Sequence, residues 1–271
     1  MSEWPIIKQL AEIFGLIIRG LFITLSYVGV ENIALCILLF VLISKVLILP
    51  STYHKHKLTL LAPKIEPEVR EKMKKYENRL EHPMANSKLN IDKGIILDKY
   101  GVMSNSGCLM TLLQLPILFA LYAVVQNING FIPELNNLSE TAYSNAFTLF
   151  SVNILDVPGF DIGPKYIFPI LAAVLQLVET LQMSYASKTV NNGKLVGGIS
   201  HALMLAMTFY FTASLPIICG VYWISRSLAD ILITFVLQTY IKSKDLAYFQ
   251  KLALKKKNKN RTKRGLEPLV I

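Results

Sequence analysis

The hydrophobic and polar positions of this chain are sharply segregated. Apolar runs occupy 33–49, 107–127, 166–187, 199–215 and 217–241, and polar stretches separate all but the last pair. About 20 helical residues cross the roughly 30 Å hydrocarbon core of a bilayer. Each run therefore predicts a membrane-spanning helix, the fourth unusually short. Pro50 is expected to end the first, and Pro216 joins the fourth directly to the fifth. Ahead of them, residues 5–28 alternate apolar clusters with Lys8, Glu12 and Arg19. That segment is too polar for a span and predicts an amphipathic helix lying in the interface. The run 107–127 is not uniformly apolar, because Thr111, Gln114, Leu118 and Tyr122 fall along one helical face. A polar stripe on a spanning helix must face protein or water, since lipid offers it no partner.

The connecting segments differ in character. Residues 51–105 predict a charged helical hairpin, with Glu68/Lys72 and Glu71/Lys75 as i,i+4 pairs and a break at His82–Pro83. Its second helix is expected from Leu89 to about Tyr100. The hairpin reads either as a solvated connector or as a docking arm for a substrate or partner. Residues 128–165, with Pro133, Pro158, Gly159 and Pro164, carry no strong period and predict an irregular loop. Composition agrees with a membrane assignment: 53% of residues are hydrophobic and the mean hydropathy is +0.45. No soluble stretch is long enough to bury a core of its own. The expected organisation is an interfacial helix (1–30), one all-α polytopic core (31–241) and a basic tail (242–271).

Charge then orients the chain. Residues 51–105 hold eleven Lys/Arg, 188–198 hold two and the tail ten, against two in 1–32 and one in 128–165. Basic residues stay inside, so the hairpin and C-terminus are expected in the cytoplasm and the N-terminus outside. The 128–165 loop, with Glu134, Glu140, Asp156 and Asp161, is then external. The start is acidic and lacks a basic n-region, so no cleavable signal peptide is expected.

Four charged residues fall inside the predicted spans: Lys45, Glu179, Arg226 and Asp230. Each costs about 2.5–3.5 kcal/mol at the bilayer centre on insertion scales, which makes each a candidate functional residue. Lys45 lies five residues before Pro50, where it can either snorkel to the headgroups or face a polar interior. Arg226 is near mid-span with Asp230 one turn on, so a structural ion pair is the plainer reading there. Glu179 sits between Gln176 and Gln182 in a polar patch. The four formal charges cancel, and one hydrated cavity explains them more economically than four separate exceptions. Cys36, Cys108 and Cys219 all lie in apolar segments and read as small hydrophobes. His54 and His56, two apart, do not converge on a helix, so no metal is expected. With no G-x-x-x-x-G-K-[ST] motif, nothing points to catalysis, a cofactor or DNA.

At these residues the chain resembles the YidC-type membrane protein insertases. LILPSTYHKHKLTLLAPKIEPEV is similar to the family's end of first helix, proline, then a basic segment into L-x-P-K-I. DKYGVMSNSGCLMTLLQLPILFALYAV and SLPIICGVYWISRSL resemble its second and fifth helices, so the likeness covers roughly residues 30–245. It implies five helices around a hydrophilic groove open to the cytoplasm and to lipid. The family's groove arginine matches Lys45, which favours the inward-facing reading of that lysine. Gln114, Tyr122, Tyr222 and Trp223 match family positions, whereas Arg226 and Asp230 stand where small polar residues are expected. Arg226 is then expected to supply part of the positive field.

The resemblance also implies a function. Substrates are nascent membrane proteins, whose short polar segments pass through a positively charged groove while their spans leave for lipid. The chain acts alone or beside the secretion channel, in the cell membrane. Many relatives of this size begin with a lipoprotein signal, which is not expected here, and the expected lack of a large external domain resembles Gram-positive-like forms. The basic tail suits ribosomal RNA or anionic lipid equally. A dedicated assembly chaperone for one membrane complex is the alternative. A small-solute channel fits less well, because no internal repeats are visible.

Overall fold

A computed structural model describes residues 5–74, 83–102, 114–160, 163–187 and 194–269, without the side chains of 62–63, 73, 83–87, 89–90, 114–115, 183–187 and 194–201. It is an all-α polytopic membrane protein whose only described strands are two residues each. Three described helical stretches are long and apolar enough to cross a bilayer: Ile33–Leu61, Pro164–Gln182 and Ile217–Lys242, with mean hydropathies of 2.8, 1.3 and 1.4. Pro116–Gln126 and Ala202–Ser214 are further apolar helical stretches within the described side chains. The chain divides into two units, residues 1–48, 109–182 and 191–232 in the first, and 49–108, 183–190 and 233–271 in the second.

In the first unit, α1 (Pro5–Ser26) is amphipathic as its pattern predicts. Ile7, Ala11, Ile18 and Phe22 are buried while Ile6, Ile13 and Leu16 stay exposed. Its buried face packs on α4 (Gln114–Gln126), and at Gly15 any Cβ would overlap the Phe131 ring. The rest of the predicted 107–127 span, Thr111 included, lies outside the described residues. Asn32 opens α2 (Ile33–Met73) by accepting from the Leu35 N–H at 3.1 Å, an N-cap bond.

Pro50 does not end that helix, which continues to Met73. A proline fixes φ near its helical value and removes one N–H, at about 3 kcal/mol in a helix interior. Burial of Leu60, Leu61 and Ile65 on the far side of it offsets that cost.

The segment predicted as an irregular loop is an ordered cap of short elements. A single turn (Ile128–Phe131), a 3-10 turn (Pro133–Asn137), α5 (Glu140–Ala146) and a hairpin of β1 (Thr148–Leu149) and β2 (Val152–Asn153) follow one another. Elements of two to seven residues are too short to show a period. Their apolar residues Ile132, Leu135, Ala146, Phe147 and Ile154 are nevertheless buried. Among the described residues, several bonds tie the cap down. Arg19 holds Glu134 through its Nε at 2.8 Å, and Asn32 donates to the Thr148 carbonyl at 3.1 Å. The carbonyls of Ile154 and Asp156 accept from the N–H groups of Ile218 and Ile217 at 2.8 Å. Those are orphan donors of a helix start, satisfied here by loop backbone. α6 (Ile167–Ser187), α7 (Lys194–Ser214) and α8 (Ile217–Lys242) are the remaining long helices among the spans and apolar stretches. α7 therefore begins before residue 199, and its helix is less short than its apolar run. Leu171, Val174, Val178 and Leu181 on α6, and Leu228 and Leu232 on α8, are exposed apolar residues suited to lipid.

In the second unit, α3 (Pro83–Lys99) starts at its proline, six residues before the predicted Leu89, because proline at N1 loses no helical bond. It ends in a Schellman motif: Val102 N–H bonds Leu97 O at 2.9 Å and Gly101, at φ +63°, bonds Asp98 O at 3.0 Å. The basic tail is a helix too. α9 (Leu246–Thr262), capped by Asp245, buries Ala253 and packs Phe249 with Leu61, Ile65, Ile96 and Tyr100.

Candidate functional site

The four intramembrane charges converge in the first unit. Lys45, on α2, places its Nζ 2.7 and 2.6 Å from the two carboxylate oxygens of Asp230 on α8. Arg226, one turn before Asp230, lies 3.4 Å from the same carboxylate and 3.6 Å from Glu179 of α6. All four side chains are between 13% and 17% exposed, so little water screens them. Lys45 thus turns inward to a carboxylate rather than towards the headgroups. The network is formally neutral, two cations against two carboxylates, and Asp230 is its hub. Pairing offsets a desolvation penalty that no isolated charge could meet at this depth.

Around the ions lie polar groups that protein does not fully satisfy. Gln182 donates to the Ile231 carbonyl at 3.3 Å. Gln176 Oε1, Trp223 Nε1, Arg226 Nη1 and Ser227 Oγ are buried without a hydrogen-bond partner. Trp223 stacks on Phe211 with centroids 6.4 Å apart and is otherwise part of the core. Buried polar atoms are rarely left unpaired, so this cluster is suited to water or to polar groups of a visiting chain.

Not every predicted residue joins the cluster. Tyr122 accepts a hydrogen bond from Gln126 of its own helix at 2.6 Å and makes none to the ion network. The Gln114 side chain lies outside the described residues. Sequence reasoning also missed part of the polar series. Tyr222, Arg226, Asp230, Thr234 and Gln238 recur every fourth residue along α8, and the last two belong to the second unit. There Thr234 Oγ1 and His56 Nε2, both buried, lie 3.2 Å apart. The i,i+4 recurrence was the available signal, since Thr and Gln carry no charge to draw attention.

Fold and site together define a multi-pass helical membrane protein that maintains a neutralised ion cluster among its spans. Residues 23–244 match the family model described as 60Kd inner membrane protein, and the chain belongs to that family, the YidC-type insertases. Among its relatives, Membrane protein insertase YidC of Thermotoga maritima is 25% identical over 228 residues, covering 84% of this chain and 45% of that protein. The Enterococcus faecalis protein of the same name is 28% identical over 193 residues, covering 71% and 62%. Membrane protein insertase MisCA of Bacillus subtilis is 23% identical over 208 residues, covering 77% and 71%. The chain thus spans about half the length of the first and less than two thirds of the second.

Proposed function

We propose that this protein inserts nascent membrane proteins into the cell membrane, using the ion cluster of Lys45, Glu179, Arg226 and Asp230 as the wall of a hydrophilic groove. The observation that carries the reading is the neutral network itself, held among spans with unsatisfied polar atoms beside it. A polar leader entering a wet cavity part-way through the bilayer meets a shorter apolar barrier than the full 30 Å. Acidic leader groups compete with Asp230 and Glu179 for Lys45 and Arg226, and at low effective dielectric that exchange is strong. The apolar segment of the substrate then leaves along lipid-facing residues such as Val174 and Leu181, exposed on α6. Burial at about 25 cal/mol per Å² favours its exit. In this reading the five apolar runs span the membrane, and the Lys/Arg distribution supports an N-terminus outside with the basic segments in the cytoplasm.

Gln114, Tyr122, Gln176, Gln182 and Trp223 belong to the same groove in this proposal. The basic helix α9 suits ribosomal RNA, and the 51–105 hairpin suits targeting factors or the secretion channel. A dedicated chaperone for a single membrane complex would share this architecture. Purified protein in liposomes, offered a single-span substrate with an acidic leader, tests the assignment. Insertion well above empty liposomes is expected, and insertion equal to them overturns it. Insertion of only one substrate among several would favour the dedicated chaperone.

A further inference from the structure

The second unit holds a cavity of about 670 Å³. Lys57 and His54 of α2, Gly101 beyond α3, and Lys255, Lys256 and Lys259 of α9 line it. Lys57 is only 3% exposed, yet among the described residues no carboxylate pairs with it. Its ammonium donates to the Gly101 carbonyl at 3.2 Å and lies 4.8 Å over the Phe249 ring. The one acid in the lining, Asp98, is bound to Lys257 at 2.6 Å. Among the described residues, Lys255, Lys256 and Lys259 have no acidic partner either. His54 Nδ1 is buried without a hydrogen-bond partner. A buried cation is costly, and a counter-charge is the strongest compensation for its lost hydration. Here the protein supplies cations from two helices and leaves the anion to come from elsewhere.

The depth of the cavity indicates its source. At 1.5 Å per residue, about 20 residues from Ile33 cross the hydrocarbon core and end near Thr52. Tyr53, His54 and Lys57 therefore lie at headgroup level, and Val102, Leu252 and Ala253 add an apolar wall. We propose that this cavity binds a phosphate group carried by the headgroup of an anionic phospholipid, with Lys57 as its deepest contact. Lys255 and Lys256 close on the phosphate from the rim, and His54 offers Nδ1 as a further donor. Lysine suits this role as a compact point charge with three donors.

The test uses the full chain, purified and delipidated in detergent, with phosphatidylglycerol, phosphatidylcholine and inorganic phosphate as separate probes. Native mass spectrometry is expected to show phosphatidylglycerol retained in preference to phosphatidylcholine. Lys57→Gln should weaken that retention about tenfold, and the rim double variant Lys255→Gln/Lys256→Gln about threefold. Should Lys57→Gln fail to fold, the rim variant decides, because its side chains are exposed and leave the core intact. Equal retention by the parent and the folded variants overturns the site. Stabilisation by inorganic phosphate that depends on Lys57, without lipid retention, overturns the lipid source. Retention of an RNA fragment with no phosphatidylglycerol preference overturns the proposal as well.

Discussion

Asp230 Oδ2 lies 2.6 Å from Lys45 Nζ and 3.4 Å from Arg226 Nη2, so one carboxylate holds both cations of the network. Removing it leaves two buried positive charges with only Glu179 to share. Breaking such a pair from one side costs about 3–5 kcal/mol. Asp230→Asn is therefore expected to destabilise the folded protein by that order, read as thermal unfolding in detergent. Lys45→Ala should cost less, since Arg226 still answers Asp230. The pairing also ranks the charge swaps. Lys45→Asp with Asp230→Lys should recover more stability and insertion activity than either single change. Lys45→Glu with Glu179→Lys should recover less, because Lys45 bonds Asp230 directly at 2.6 Å whereas the ion pair of Glu179 is with Arg226 at 3.6 Å. Equal recovery by the two swaps would rule out Asp230 as the hub. The sequence placed these four residues within spans, and the resemblance singled out Lys45. Which carboxylate faced which cation depended on the rotation of three helices about their axes, which spacing along one chain does not encode.

At the scale of elements, the cap between α4 and α6 carries two predictions. Its Glu134 is tied to Arg19 of α1, and the guanidinium hydrogen bond holds the Glu134 carboxyl below the usual range. A depressed carboxylate stabilises the folded state fully above its unfolded value near 4.3. That contribution is lost as pH falls through the lowered folded value. The thermal stability of the parent should fall on acidification through this window, and Glu134→Gln should flatten that part of the profile. The second prediction concerns the β1–β2 turn, where Phe150 and Ser151 adopt φ of +49° and +63°. Both central residues of such a turn favour Asn-Gly, and a bulky side chain there stores about 1 kcal/mol or more. Phe150→Asn with Ser151→Gly is expected to raise the unfolding temperature by a few degrees. An unchanged or lower temperature would mean that Phe150, 85% exposed in the structure, makes a contact in lipid that compensates its strain. The cap escaped sequence reading because its order comes from backbone bonds to Ile217 and Ile218 and from burial of scattered apolar residues. The tail helix α9 escaped for a similar reason, with Phe249 and Ala253 as its buried anchors among many lysines.

At the scale of the whole molecule, the apolar lengths of the helices are unequal. The apolar run 166–187, at 22 residues, reaches about 33 Å as a helix, whereas the 17 residues of 199–215 reach about 26 Å. A bilayer matched to the longer run exceeds the shorter by about 7 Å, and each ångström of mismatch costs a fraction of a kcal/mol. Lipid thins beside the short helix, or polar residues at its ends are drawn inwards. Either response lowers the apolar barrier next to the proposed groove. Activity should then depend on bilayer thickness in one direction. In liposomes of myristoleoyl, oleoyl and erucoyl phosphatidylcholine, insertion by the protein, divided by insertion into matched empty liposomes, is expected to fall as the chains lengthen. The division matters, because spontaneous insertion also weakens in thicker membranes and would otherwise imitate the effect. A ratio that stays flat or rises with chain length would locate the catalysed step in the ion network alone, and the short helix would then be packing without consequence for the barrier.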